Sequence, residues 1–151
     1  MTAPNPRPRV VEAAFWSWLV AGVLLLACGF MSLSVNVERL RAVAAKPIPD
    51  EDAHQFVLYY HFAGSLWFAL GLAVAYLAVR TRQGNRRFRR ANMVLSLVAI
   101  VLLIVWEVYA GFLSPGLLAT LVLMVAVVLM TRPAARDWFD AVQQPPGGGG
   151  D

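Results

Sequence analysis

The chain has little charge, cysteine or histidine. Charged residues make up 15% of its 151 residues, and there are one cysteine and two histidines. A single cysteine, Cys28, excludes an internal disulfide, and cysteine usage therefore gives no redox compartment. We find no catalytic, nucleotide-binding or cluster-binding motif. The sequence therefore predicts neither an enzyme nor a bound cofactor.

Apolar residues dominate instead. They form 59% of the chain, and the mean hydropathy is +0.61, whereas a soluble domain is about 45–50% apolar. The chain contains four long apolar runs, at residues 13–35, 55–79, 91–113 and 117–130. They lack the polar stripe of a surface helix and the alternation of a barrel strand. Because a backbone in hydrocarbon must satisfy its own hydrogen bonds, we predict an all-α, polytopic membrane protein with four transmembrane helices in a bundle.

The segments outside these spans are short. Residues 1–12, which contain three prolines, are predicted to be a disordered tail, and residues 143–151, with four glycines, a flexible one. Between them, residues 13–142 form the predicted transmembrane domain, which ends in a short interfacial helix at 133–142. The fourth span is short for a hydrocarbon core that needs about 20 residues.

Two connectors carry local signals. The first, residues 36–54, has charges of both signs, and its part 37–45 is predicted to form a short helix that Pro47 and Pro49 stop. The second, residues 114–116, has the sequence Ser-Pro-Gly, which predicts a tight reversal.

The basic residues predict an orientation. The segment 80–90, interpreted as a loop, holds six arginines and no acid: Arg80, Arg82, Arg86, Arg87, Arg89 and Arg90. Four more arginines lie in the two terminal segments, whereas the first connector holds three basic residues and the third loop none. The positive-inside rule therefore places both termini and the arginine segment in the cytoplasm.

The arginine segment has two interpretations. Its six cations suit anionic lipid head groups, which would make the segment a topology determinant, or an acidic cytosolic partner. A net charge of +4 is also compatible with nucleic-acid binding. However, the cations lie beside the apolar spans and leave no folded basic surface, so we exclude nucleic-acid binding.

Three polar side chains inside the spans are candidate functional residues, because a polar group in hydrocarbon costs free energy. Glu107 in span three, His61 in span two and Cys28 in span one each lie six or seven residues from the outer end of their span, about 9–10 Å at a rise of about 1.5 Å per residue. All three fit one layer in the outer leaflet.

Helical spacing extends these positions into faces of small and weakly polar residues, which helix contacts in membranes prefer. The faces are Ser17, Ala21, Leu24, Cys28 and Ser32; His61, Gly64, Ser65, Phe68, Leu72 and Ala75; and Asn92, Ser96, Ile100, Leu103, Glu107 and Gly111. We expect them to turn inward and to bring His61 towards Glu107. Span two also has two small-xxx-small pairs, Gly71 with Ala75 and Ala69 with Ala73.

The polar layer leaves several roles open. A hydrogen bond between His61 and Glu107 could fix helix packing, or the pair could form a proton- or ligand-linked site. A metal site is disfavoured because the chain has no local ligand spacing, although Cys28, His61 and Glu107 are acceptable ligands. Catalysis by the thiol is also disfavoured, because Cys28 has no partner cysteine.

Three pieces carry a resemblance: residues 9–18 (RVVEAAFWSW), the basic run before span three, and residues 132–139 (RPAARDWF). Together they resemble the small four-helix integral membrane proteins of actinobacteria. The resemblance is one of architecture and covers most of residues 9–142. Because these proteins are mostly of unknown function, it implies a plasma-membrane location and no role for Glu107 or His61.

Two functions remain open. The first is a non-enzymatic accessory or interaction subunit of a larger plasma-membrane transport or envelope complex, and a homo-oligomer is the other expected assembly. The alternative is a small proton- or cation-coupled transporter component that uses Glu107 with His61. A membrane enzyme is disfavoured, because a disulfide-forming quinone enzyme needs paired cysteines, and lipid-modifying enzymes usually need several His, Asp or Arg residues in one layer.

Overall fold

The computed structural model describes residues 8–44, 46–110 and 115–143, and these residues form six helices and no strand. In chain order the helices are α1 (Arg9–Leu33), α2 (Val37–Val43), α3 (Asp50–Arg82), α4 (Arg86–Ala110), α5 (Pro115–Thr131) and α6 (Pro133–Gln143). The prediction of an all-helical protein is confirmed.

Three of the helices are long and apolar enough to cross a membrane. They are α1, α3 and the part Arg87–Val108 of α4. Helix α5 is long and apolar enough to cross a membrane only when α6 is counted with it, and the two helices are bent by 60° relative to each other. The described residues thus contain three helices suited to a membrane, or four if the bent pair counts as one span.

The first helix begins earlier than predicted. Helix α1 starts at Arg9, so the last four residues of the predicted tail 1–12 are helical. The reason is local: the backbone N–H of Val11 donates to the Pro8 carbonyl at 3.0 Å, and the Val11 side chain is buried against the core. The rest of that tail, apart from Pro8, lies outside the described residues, as do residues 144–151 and Ser114 of the predicted turn.

The loop predicted at residues 80–90 is much shorter in the structure. Helix α3 continues to Arg82 and α4 begins at Arg86, so only residues 83–85 connect them. Arginine is a good helix former, and cations stabilise the C-terminal end of a helix. The reversal is made by Gly84, whose φ is 83°, and by Asn85, whose side-chain oxygen accepts from the Arg87 N–H at 3.0 Å.

The connector helix predicted at 37–45 is present as α2. Its start is capped by Asn36, whose side-chain oxygen accepts from the Arg39 N–H at 2.8 Å. Helix α3 then starts at Asp50, five residues before the predicted span, with three acids in its first turn. Carboxylates at this position interact favourably with the helix dipole, which accounts for the longer helix.

Four helices pack around a common core. Helix α1 contacts α3 and α5, and α4 contacts the same two, so α1 and α4 face each other across the diagonal. Fully buried side chains at the centre include Trp18, Leu25, Leu103 and Leu123. We call the end where α1 and α4 begin and α3 ends the basic end; α6 lies there. The opposite end, with α2, is the connector end.

Glycines bring α1 and α3 into backbone contact. The two helices run in opposite directions, with Gly29 facing Gly64 and Gly22 facing Gly71. A Cβ atom on Gly29 would lie 2.8 Å from the Gly64 carbonyl oxygen, and one on Gly71 would lie 2.9 Å from the Gly22 carbonyl oxygen. No side chain fits at Gly29 or Gly71 unless the backbones move apart, so the close approach of the helices requires glycine at these two positions.

Candidate functional site

The three predicted polar residues lie towards the connector end, each half-buried. Cys28 is on α1, His61 on α3 and Glu107 on α4. Tyr60 and Trp106, which precede the latter two, have ring centroids 5.8 Å apart. His61 and Glu107 therefore lie at a similar depth, in agreement with the predicted layer.

His61 contacts the end of α1. Its Nε2 lies 2.9 Å from the carbonyl oxygen of Val35, which follows α1. A carbonyl can only accept, so Nε2 donates the proton in this hydrogen bond. The contact gives His61 a packing role, because it joins α3 to the short segment between α1 and α2.

Glu107 lies on α4 in the same half of the bundle as Cys28 on α1. Its carboxylate is close enough to act electrostatically on the Cys28 thiol, although α1 and α4 are diagonal neighbours. A half-buried carboxylate in an apolar helix can attract a cation.

An apolar groove lies beside this layer, between α3 and α4. It has a volume of about 520 Å³. It is lined almost entirely by aromatic and aliphatic side chains, among them Phe56, Tyr59, Tyr60, Phe62, Trp67 and Trp106. Trp67 also stacks edge-on against Trp106, with ring centroids 6.4 Å apart. Aromatic rings therefore hold α3 and α4 apart and shape the groove.

A second polar group lies in the core nearer the basic end. The indole Nε1 of Trp18 donates to the Ser96 hydroxyl at 3.0 Å, and that hydroxyl donates to the Asn92 carbonyl at 2.7 Å. These three side chains are fully buried. Neither polar atom of the Asn92 side chain has a hydrogen-bond partner among the described residues.

Several of the predicted lipid-facing arginines contact aromatic rings of the protein. The guanidinium of Arg82 lies 4.7 Å from the ring centroid of Phe15, and that of Arg89 lies 5.0 Å from Phe139. Arg80 lies within 6 Å of two rings, Tyr76 and Phe88. Such contacts are cation–π interactions. Of the other three, Arg87 and Arg90 are exposed, and the side chain of Arg86 lies outside the described part.

The predicted inward faces are correct for one helix and rotated for the others. On α4, Asn92, Ser96, Ile100 and Leu103 are buried; Gly111 lies outside the described residues. On α3, the predicted Ser65, Phe68 and Leu72 are exposed, and the buried line is Gly64, Trp67, Gly71, Val74 and Ala78. On α1 the buried line is Trp18, Ala21, Gly22, Leu25 and Gly29.

The rotation has a physical reason. Backbone contact through glycines turns the glycine faces of α1 and α3 towards each other, and the polar residues follow at the margin. The signal was available in the sequence, because both helices carry glycines seven residues apart: 22 and 29, then 64 and 71. Of the two predicted small-residue pairs, Gly71 with Ala75 contacts α1, whereas Ala69 is exposed.

Within residues 8–44, 46–110 and 115–143, no group of three or more His, Cys, Asp and Glu side chains is placed to hold a metal ion. The chain matches no protein-family model, no curated protein sequence and no solved structure. Its function therefore has to be inferred from the geometry above.

Proposed function

We propose that the protein is a non-enzymatic, multi-pass protein of the bacterial plasma membrane that acts as an accessory subunit of a larger transport or envelope complex. In this proposal α5 is the fourth span, both termini are cytoplasmic, and α6 lies at the cytoplasmic interface. The resemblance to small actinobacterial membrane proteins supports the same location.

The outer surface supports the membrane location. Large apolar side chains on the long helices point outward, including Phe30 at 68% exposure and Phe62 at 72%. Contiguous apolar surface of this kind is rare on soluble proteins and is solvated by lipid chains. The exposed Arg87 and Arg90 lie at one end, where anionic head groups would meet them.

A layer of apolar side chains across the middle of the bundle is the observation that supports the accessory proposal. On α1 and α4 this layer consists of Ala21, Leu25, Ile100 and Leu103, all buried. It separates Cys28 and Glu107 from Trp18 and Ser96, and an apolar, close-packed layer opposes the passage of ions or polar solutes. The bundle interior is therefore suited to holding helices together and poorly suited to transport.

Partner capture tests the accessory proposal. The full chain, tagged at its C-terminus, would be extracted from its native membrane in a mild detergent and its companions identified by mass spectrometry. We expect one larger membrane complex in a stoichiometric amount, and unchanged capture with Glu107→Gln. Recovery of a monomer or a homo-oligomer alone would contradict the accessory role.

Cysteine labelling tests the orientation. In a Cys28→Ala background, a cysteine replaces either Val43 in α2, which is 83% exposed, or the exposed Ala134 in α6. A membrane-impermeant maleimide added to whole cells should label Val43→Cys, and Ala134→Cys should react only after the cells are opened. The reverse pattern would overturn the proposed topology.

A second candidate function is a proton- or cation-coupled transporter component. The observation that favours it is the position of Glu107, a half-buried carboxylate within the apolar helix Arg87–Val108. If it is correct, the chain reconstituted alone in vesicles should carry a proton-linked flux that Glu107→Gln abolishes. Ser65→Ala is the matched control, because Ser65 is exposed on α3. A flux that is absent, or unchanged in Glu107→Gln, would exclude this function.

A further inference from the structure

The Asn92 side chain is buried and has hydrogen-bonding groups that the described part of the protein leaves unpaired. It is 0% exposed, and its Oδ1 and Nδ2 have no hydrogen-bond partner among the described residues. Buried amides are normally paired with protein groups or water, because an unmade hydrogen bond in apolar surroundings is costly. An amide offers one acceptor and two donor hydrogens, a set that suits water or another small polar molecule.

Two contacts locate Asn92 on α4 near the basic end. One helical turn before it, Arg89 lies over the ring of Phe139 in α6. One turn after it, Ser96 accepts the indole hydrogen of Trp18 in α1. Residues three or four apart share one face of a helix, so Asn92 lies between these contacts, one turn farther into the bundle than the contact of Arg89 with α6.

Helix α6 is attached in the manner of a lid. It joins α5 through Arg132, with a bend of 60° between the two helices. Its inner face is held by the fully buried Phe139 and Ala135, and its other face carries Arg136 and Asp137, which are exposed. A short amphipathic helix that is held by few buried side chains can open locally without unfolding of the core.

The indole of Trp138 on α6 adds a second, independent observation. Its Nε1 is buried and has no hydrogen-bond partner among the described residues. Trp138 packs against Phe139, with ring centroids 4.8 Å apart. Within the part of the chain that the structure describes, an unpaired donor therefore lies on α6, and an unpaired amide lies on α4.

We propose that α6 is a lid over a polar, water-binding site formed by Asn92 and Ser96, and that water enters this site from the basic end when α6 lifts. Lifting exposes Phe139, which is unfavourable, but it allows water to pair with the Asn92 amide and the Trp138 indole. The balance of these opposing terms sets how often α6 lifts. The proposal holds for an accessory subunit and for a transporter alike.

Thiol accessibility in the full chain tests the proposal. Because Cys28 is the one native cysteine, Cys28→Ala provides a thiol-free background. Ser96→Cys reports on the site beneath α6. Leu103→Cys is the matched control, because it is also fully buried on α4 but lies seven residues, about 10 Å, farther from α6. The protein would be placed in lipid nanodiscs and treated with a charged methanethiosulfonate, which dissolves in water and not in lipid.

We expect Ser96→Cys to react at least about tenfold faster than Leu103→Cys, and Phe139→Ala to raise the Ser96→Cys rate about tenfold more while Leu103→Cys stays slow. Equal rates at the two positions with the native lid would overturn the proposal. An unchanged Ser96→Cys rate in Phe139→Ala would overturn it as well.

If Phe139→Ala raised the reaction rates at both positions, the whole bundle would have loosened. The rates of Ser96→Cys and Leu103→Cys with the native Phe139 would then decide whether the proposal holds. Circular dichroism checks that each variant keeps its helices. If Ser96→Cys does not fold, Asn92→Cys reports on the same face one turn closer to α6.

Discussion

Helix α3 packs against its two main neighbours in opposite ways. Towards α1 it presents Gly64 and Gly71, and the backbones of the two helices touch. Towards α4 it presents the rings of Tyr60 and Trp67, both in edge-to-face contact with Trp106. The first interface is sealed, whereas the second leaves the groove of about 520 Å³.

The difference shows which forces hold the helices together. Lipid chains are as apolar as leucine, so burial of apolar area does not by itself drive helix association in a membrane. Close van der Waals contact does, and it is greatest where glycines allow the backbones to meet. The aromatic interface gains its stability from ring geometry and leaves space between the helices. Four experiments, taken in order of expected effect, test this comparison.

Gly29→Leu should have the largest effect. Even a Cβ atom at this position would lie 2.8 Å from the Gly64 carbonyl oxygen and 2.8 Å from the Phe68 backbone nitrogen. The helices must separate, and we expect the free energy of unfolding to fall by about 3 kcal/mol or more. Reversible unfolding in mixed micelles, followed by circular dichroism, measures this loss.

Ala27→Leu is the control for Gly29→Leu. Ala27 lies on the same helix but is exposed, so the larger side chain extends into detergent or lipid. A change beyond about 0.5 kcal/mol would be unexpected there. If both variants unfolded equally easily, backbone contact would not be the source of stability at the α1–α3 interface.

Trp106→Ala tests the aromatic interface and should have the next largest effect. It removes the edge-to-face contacts with Tyr60 and Trp67 and widens the groove. We expect a loss of about 1–3 kcal/mol, since each ring pair contributes about 0.5–1.5 kcal/mol. The same unfolding assay applies, and Val105→Ala, an exposed residue of the same groove, should lose less than about 0.5 kcal/mol.

A pair of alanine variants distinguishes the two glycine contacts of α1. A Cβ on Gly22 would lie 3.1 Å from the Gly71 carbonyl oxygen, a tight contact that a small shift relieves, whereas the one on Gly29 clashes with backbone. Alanine also gains about 1 kcal/mol of helix propensity over glycine. We therefore expect Gly22→Ala to be nearly neutral and Gly29→Ala to lose about 1–2 kcal/mol. Equal effects would contradict the glycine geometry.

His61→Phe should have the smallest effect. It removes the hydrogen bond from Nε2 to the Val35 carbonyl, and side-chain hydrogen bonds in membrane bundles contribute about 0.6 kcal/mol on average. Ser65→Ala serves as the control, because the Ser65 hydroxyl donates to the His61 carbonyl within its own helix. A loss as large as that of Trp106→Ala would show that His61 does more than hold the end of α1.

Much of the fold was predictable from local features. The long apolar runs, the helix after Asn36 and the helix after Pro133 all follow from hydropathy, capping residues and proline positions. The error in the arginine segment is also local in origin. A run of charged residues suggests a loop, but arginine is a good helix former, and only residues 83–85 connect α3 to α4.

The candidate site was predictable in part. The similar depth of His61 and Glu107 follows from counting residues along helices, and the contact of Tyr60 with Trp106 agrees with it. The contacts of the side chains do not follow from counting. The hydrogen bond between His61 and Val35 depends on the rotation of α3 about its axis, which is set by the neighbours that α3 packs against.

The sequence by itself determined the helical class, the apolar character of the long helices and the concentration of arginine near one end, since these depend on local composition and on backbone hydrogen bonding within each helix. Only the tertiary structure decided that Gly22 and Gly29 meet Gly71 and Gly64, and that the Asn92 side chain is buried without a hydrogen-bond partner among the described residues. These features join residues far apart in the chain, and they arise from which helix faces pack most closely in three dimensions.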